Sequence, residues 1–275
     1  MLDTHVHFWK YDKVRDAWIT DDMKLLQQDY LPQQLQSVLN NNGLNGCIAV
    51  QADQSEVETH FLVELARKYP FIKGVVGWID LLNPDLDQRL NHFLEFPEIK
   101  GWRHVAQGEA DDFLSRKEVI NGIRTVTDAG YSYDILIYAR QLPAAIQLVN
   151  ALPEANFILD HCAKPDIRNK EIKGWAKGIR EIAQHPGVSC KLSGLFTEAH
   201  WKQWSPADFY PYLDVVFESF GTNRLMFGSD WPVILVSGMY VQWKSLLLKY
   251  MENMEEEMIE AIMGGNAQRI YRTEI

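Results

Sequence analysis

Leu2-Asp3-Thr4-His5-Val6-His7-Phe8-Trp9 opens the chain as a short β-rich run and passes into Lys10-Tyr11-Asp12 without a glycine-rich turn. An open, doubly wound α/β sheet normally places such a phosphate-binding turn directly after its first strand. Its absence turns the reading toward a closed barrel. In a strand, side chains at i and i+2 leave the same face, so His5 and His7 are expected to project together from the strand end. Two imidazoles aimed at one point form half of a metal site, or a pair of groups able to polarise a carbonyl. A His-x-His tripeptide can also be a structural hydrogen-bonded pair, so its meaning depends on the rest of the chain.

That rest alternates. Further β-rich runs occur at 45–53, 72–81, 99–106, 132–139, 156–163, 187–195 and 224–233, separated by amphipathic stretches. Ser55-Glu56-Val57-Glu58 reads as a capping box, and Ser115-Arg116-Lys117-Glu118 repeats the signal. Ser205-Pro206 places proline at a first helical position. Gly43, Gly130 and Gly221 stand where helices should end. Eight strand–helix units joined by right-handed crossovers predict an α/β fold, a (β/α)₈ TIM barrel. With 275 residues and no Pro/Ser/Gly-rich linker, the expectation is a single domain over 1–275.

The 27 basic and 37 acidic side chains leave a formal charge of −10, which disfavours nucleic acid as a partner. Membrane association is not expected either. The apolar stretch 232–241 is broken by Ser237 and Gly238 and falls far short of the roughly 20 residues a spanning helix needs. With the first strand read from Leu2, no signal peptide is expected. Cys47, Cys162 and Cys190 are odd in number and lie in apolar runs, so they read as reduced, buried thiols of a cytoplasmic protein. No oligomeric state is assigned.

Reactive residues of such barrels come from the C-terminal ends of strands. Those ends carry His5 and His7; Lys100-Gly101-Trp102-Arg103-His104; Leu159-Asp160-His161-Cys162; Lys191-Leu192-Ser193-Gly194; and Phe227-Gly228-Ser229-Asp230-Trp231-Pro232. His161 alone reads as well in a core as in a site. Asp160 is expected on the opposite face from His161, as a structural hydrogen-bond acceptor. Asp230 is sharper, because a carboxylate buried after an apolar strand must be paired, hydrated or functional.

With Thr197-Glu198-Ala199 and Gly264-Gly265-Asn266-Ala267, these segments resemble the amidohydrolase superfamily, in its amidohydrolase-2 or lactonase branch. Within that branch the chain is most similar to hydrolases of L-fucono- or L-rhamnono-lactones. The resemblance implies a site built from His5, His7, His161 and Asp230. It implies opening of a sugar-acid lactone with Asp230 as general base and His161, with Arg103 or His104, as the electrophile. In an alternative arrangement, one divalent metal, zinc first, is held by His5, His7, His161 and Asp230. No organic cofactor is expected. Strand five carries no His and Lys100 lies early in strand four, so a two-metal centre is not expected. Trp9, Trp102 and Trp231 are candidate faces for a sugar, and Lys164, Lys191 and Ser193 are candidate polar contacts. Lys191 can equally pack in the barrel wall and pair with a carboxylate. The segment 10–30 is expected to shape the pocket. Two rivals remain on the same barrel: a metal-dependent decarboxylase of an unsaturated carboxylic acid, and a sugar-acid binder without catalysis. The missing fifth-strand His weighs against the first, and the intact His/Asp set against the second.

Overall fold

Aliphatic and β-branched runs form eight strands in the computed structural model, which describes residues 1–273: β1 (Leu2–Val6), β2 (Gly46–Val50), β3 (Ile72–Gly77), β4 (Ile99–His104), β5 (Ser132–Ile135), β6 (Phe157–Leu159), β7 (Val188–Leu192) and β8 (Leu225–Phe227). They lie in sequence order in one sheet, and every neighbouring pair is parallel. The ends of the sheet meet. Val6 bridges Trp231 in parallel, His7 N–H donates to Trp231 O at 2.7 Å, and Asp230 N–H donates to His5 O at 2.9 Å. The chain therefore folds as the expected (β/α)₈ barrel, and its seam brings the β1 histidines beside the residues following β8.

Each strand stops short of its expected end; Val105-Ala106 after β4 and Leu136-Ile137 after β5 stay apolar although the backbone has already turned into loop. Helix signals fare unevenly. Ser55 Oγ accepts the Glu58 N–H at 3.2 Å and starts the helix Glu56–Lys68. The Glu58 carboxylate, however, turns away from the reciprocal capping bond and accepts the N–H groups of Ala52 and Asp53 at 2.6 and 2.7 Å. Ser115 does not cap the helix Lys117–Asp128; its hydroxyl donates to Asp112 O. Gly43, Gly130 and Gly221 all have positive φ just beyond helices, as expected of C-terminal glycines.

The inside of the barrel is layered. At one end Leu2, Ile48, Val50, Val76, Ile158 and Met226 pack with Ala267, Ile270 and Tyr271 of the last helix, Asn266–Tyr271. Above this apolar plug lies a buried ionic layer of Arg103, Asp134, Asp160 and Lys191. Above that layer the cleft opens. The larger core packs strand outer faces against the ring of helices. No helix among the described residues is long and apolar enough to cross a membrane.

Candidate active site

The cleft at the C-terminal ends of the strands holds about 310 Å³ and is lined by His7, Arg103, His161, Lys164 and Asp230 among others. Its floor depends on unusual backbone. β6 ends at Leu159, and His161, Cys162, Ala163 and Lys164 then follow with φ of 53°, 53°, 56° and 44°. Left-handed conformations cost L-residues roughly 1–2 kcal/mol each, so this turn persists only because its surroundings hold it. It swings His161 to the same cleft that the alternation of a longer strand would have denied it. Asp230 likewise has φ 62°.

Four donor groups converge. His5 Nε2 is 3.2 Å from His7 Nε2, and Asp230 Oδ1 lies 3.4 Å from His7 Nε2, 3.9 Å from His5 Nε2 and 4.0 Å from His161 Nε2. All four side chains are buried. His7 Nδ1 donates to Val50 O at 2.8 Å, which leaves its Nε2 facing the cleft. His161 Nδ1 shares a 2.9 Å hydrogen bond with Ser193 Oγ. Burial pushes the His161 imidazole down to about 4, so it is neutral at pH 7. Burial also opposes charge on Asp230, but His161 and the hydrogen bond to His7 outweigh it and hold the carboxyl well below its usual range. The site thus offers an ionised carboxylate beside His5 and His161, whose imidazoles burial holds neutral.

Arg103 forms one wall. Its Nη1 donates to Asp160 Oδ2 at 3.0 Å and lies 3.2 Å from His5 Nε2, while Nη2 donates to Gln51 O at 2.5 Å. Below it, Lys191 Nζ is 2.5 Å from Asp134 Oδ2, 2.9 Å from Asp160 Oδ1 and 3.2 Å from His5 Nδ1. Tyr271 Oη donates to the same Asp134 oxygen at 2.8 Å. Lys191, the β7 lysine expected to meet substrate, is instead wholly buried beneath the cleft and belongs to this layer. Its reach along the barrel axis matches the wall-packing alternative.

Other expected contacts are redirected. Trp102 is fully buried outside the barrel, edge-on to Phe93 and Tyr131, because it alternates with Arg103 along β4. His104 points away by the same alternation, stacking on Phe113 and pairing with Glu109 at 3.0 Å. Neither lines the cleft, so neither can be the electrophile or sugar face it was expected to be. Trp9 and Trp231 are buried against Tyr30 below the rim. Ser193 is buried behind His161 as its hydrogen-bond partner, out of reach of a ligand in the cleft. Lys164 does line the cleft, 3.6 Å from Glu198. The sequence reading missed Asp134, Gln51, Arg15 and Trp18. The last two come from the 10–30 segment and do line the cleft.

The donor set fits one divalent ion. A ligand nitrogen of His5, one of His161 and an oxygen of Asp230 lie within 4.8 Å of one another, and His7 Nε2 sits beside them. A tetrahedral zinc with bonds of about 2.0–2.2 Å places its donors about 3.3–3.6 Å apart, close to the spacing of His7 Nε2 from His5 Nε2 and from Asp230 Oδ1. The Val50 and Ser193 contacts on the far nitrogens supply the orienting partners that metal-bound imidazoles use.

The chain as a whole resembles known proteins. The amidohydrolase family matches residues 2–273. An L-fucono-1,5-lactonase of Burkholderia multivorans is 38% identical over 98% of this chain and 95% of its own length. A second L-fucono-1,5-lactonase, from Burkholderia ambifaria, is 30% identical with the same coverage. A Burkholderia multivorans amidohydrolase solved with bound zinc superposes with a TM-score of 0.95 at 36% identity, over 99% of both chains. The chain belongs to the amidohydrolase family.

Proposed function

We propose that the protein hydrolyses a sugar-acid lactone of the L-fuconolactone type to the open aldonate. The observation that carries this reading is Asp230, an ionised carboxylate set among His5, His7 and His161 and sharing the cleft with Arg103. The relatives named L-fucono-1,5-lactonases support the substrate class.

In this reading Asp230 accepts a proton from water as the water oxygen bonds to the lactone carbonyl carbon. Negative charge gathers on the carbonyl oxygen and meets Arg103, which Asp160 and Gln51 hold in place before the reaction begins. His161, neutral and fixed by Ser193, borders the same space. The tetrahedral carbon then expels the ring oxygen, the ring C–O bond breaks, and the proton held by Asp230 passes to that oxygen. The products are a hydroxyl and a carboxylic acid on one chain, and the acid ionises to the carboxylate with release of one proton to solvent. His5, His7, His161 and Asp230 would hold a divalent ion of the zinc type, which supplies carbonyl polarisation and a more acidic water when bound.

The test is a pH-indicator assay on aldonolactones with and without chelator pretreatment. Rapid opening of L-fuconolactone is expected. A folded sample that opens no lactone, with or without added zinc, overturns the reading.

A further inference from the structure

The turn Ala106–Gly108 follows β4 and presents Gln107 to the cleft. It is braced from behind: Gln107 N–H donates to Leu136 O at 3.0 Å, and Gln141 Nε2 donates to Ala106 O at 2.7 Å and Glu109 O at 3.3 Å. The neighbouring Val105 N–H donates to Gln54 Oε1 at 2.8 Å, which ties the loop after β2 to this turn. Gln107 Oε1 is buried and has no hydrogen-bond partner. Buried amide oxygens are rarely left this way without a reason.

The surrounding oxygens differ. Gln54 Oε1 is engaged by Val105, and Asp53 Oδ2 accepts the Ser55 hydroxyl at 2.6 Å. Much of the remaining polar wall consists of the cations Arg15, Arg103 and Lys164, which donate only. Leu136 and Val105 make the local surface apolar. A neutral acceptor on this braced turn pairs with a hydroxyl, and it repels a carboxylate oxygen. The proton donors of a neutral sugar lactone are its hydroxyls.

We infer that Gln107 is a specificity-determining residue whose amide oxygen accepts a hydrogen bond from one hydroxyl of a neutral polyhydroxylated lactone. This rests on the lactonase reading above and adds to it the group that is recognised. A site built around such a bond rejects the analogue that lacks the hydroxyl, because the acceptor is then buried unpaired.

The experiment compares L-fuconolactone with its monodeoxy analogues, using wild type, Gln107→Leu and Gln107→Glu. Wild type is expected to lose about tenfold to a hundredfold in kcat/KM on one analogue. Gln107→Leu should open the parent and that analogue at equal rates, whereas Gln107→Glu, which keeps an acceptor oxygen, should retain the preference. Circular dichroism checks that both variants fold, and the Glu variant carries the comparison if the Leu variant does not. A Leu variant, or in its place a Glu variant, that gives the wrong pattern of discrimination overturns the assignment while leaving the lactonase reading intact. A wild type that opens no lactone overturns both.

Discussion

Lys191 Nζ lies 2.5 Å from Asp134 Oδ2 and 2.9 Å from Asp160 Oδ1, with all three side chains wholly shielded from solvent beneath the cleft. One ammonium thus bridges two buried carboxylates, of which Asp160 also pairs with Arg103. Removing it strands Asp134 without a cation, so Lys191→Met should cost about 3–5 kcal/mol of stability. Urea denaturation measures this, and a loss below about 1 kcal/mol would contradict it.

Protons distribute unequally over this layer. Burial opposes charge on Asp160, but Lys191, His5 and Arg103 outweigh it and keep its carboxyl well below the usual range. Burial pushes Asp134 up from 3.8 to about 6, with Lys191 opposing. Between those two values the folded chain keeps a proton that the unfolded chain has released. Asp134 therefore favours folding most in acid, and that contribution fades as pH rises through about 6. Asp134→Asn lacks it. The stability gap between wild type and this variant should be about 1 kcal/mol larger at pH 5 than at pH 7, read from denaturation midpoints. A gap independent of pH would refute the assignment.

Asp230 is the base of the proposed reaction. Asp230→Asn should lower kcat by about 10²–10⁴-fold with the fold unchanged. Arg103→Lys should not restore the activity lost in Arg103→Met, because a lysine cannot span Asp160 and Gln51 together as the guanidinium does. Steady-state kinetics on L-fuconolactone test both. An active Asn variant would remove Asp230 from the mechanism.

Ser193 orients His161 from behind through a 2.9 Å hydrogen bond. In Ser193→Ala that support is gone, and affinity for zinc should fall about 10- to 100-fold. Competition with a chromophoric chelator reads this directly, without recourse to activity. Equal affinity would mean that the ring is held by packing alone.

Gly194 explains a further constraint on that histidine. Its φ is +67°, and a Cβ there would lie 2.5 Å from His161 Nδ1. Gly194→Ala should therefore destabilise by about 1–3 kcal/mol and depress kcat, since the methyl displaces the imidazole. Thermal melts and kinetics check this together; a neutral substitution would show that the turn after β6 is pliant.

Residues differ in how openly the sequence declares them. The barrel was legible because its signals are local and repeated: apolar runs, cap residues and terminal glycines recur along the chain. His5, His7 and Asp230 were legible because polar groups interrupt apolar strands at their ends. The strand-end directions were not. Trp102 and His104 lie on either side of Arg103, and alternation turns both away from the cleft. Asp160 was expected opposite His161, yet both reach the interior, because β6 stops at Leu159 and a left-handed turn replaces the alternation.

By itself, then, the sequence determined the alternating architecture and the residue types at the strand ends, since both follow from periodicity and short-range chemistry. Only the tertiary structure decided that Lys191 descends to Asp134 while Gln107 turns toward the cleft. Those directions depend on where each strand gives way to loop and on the partners that barrel closure brings from 50 or more residues away, such as Lys191 for Asp134 at a separation of 57.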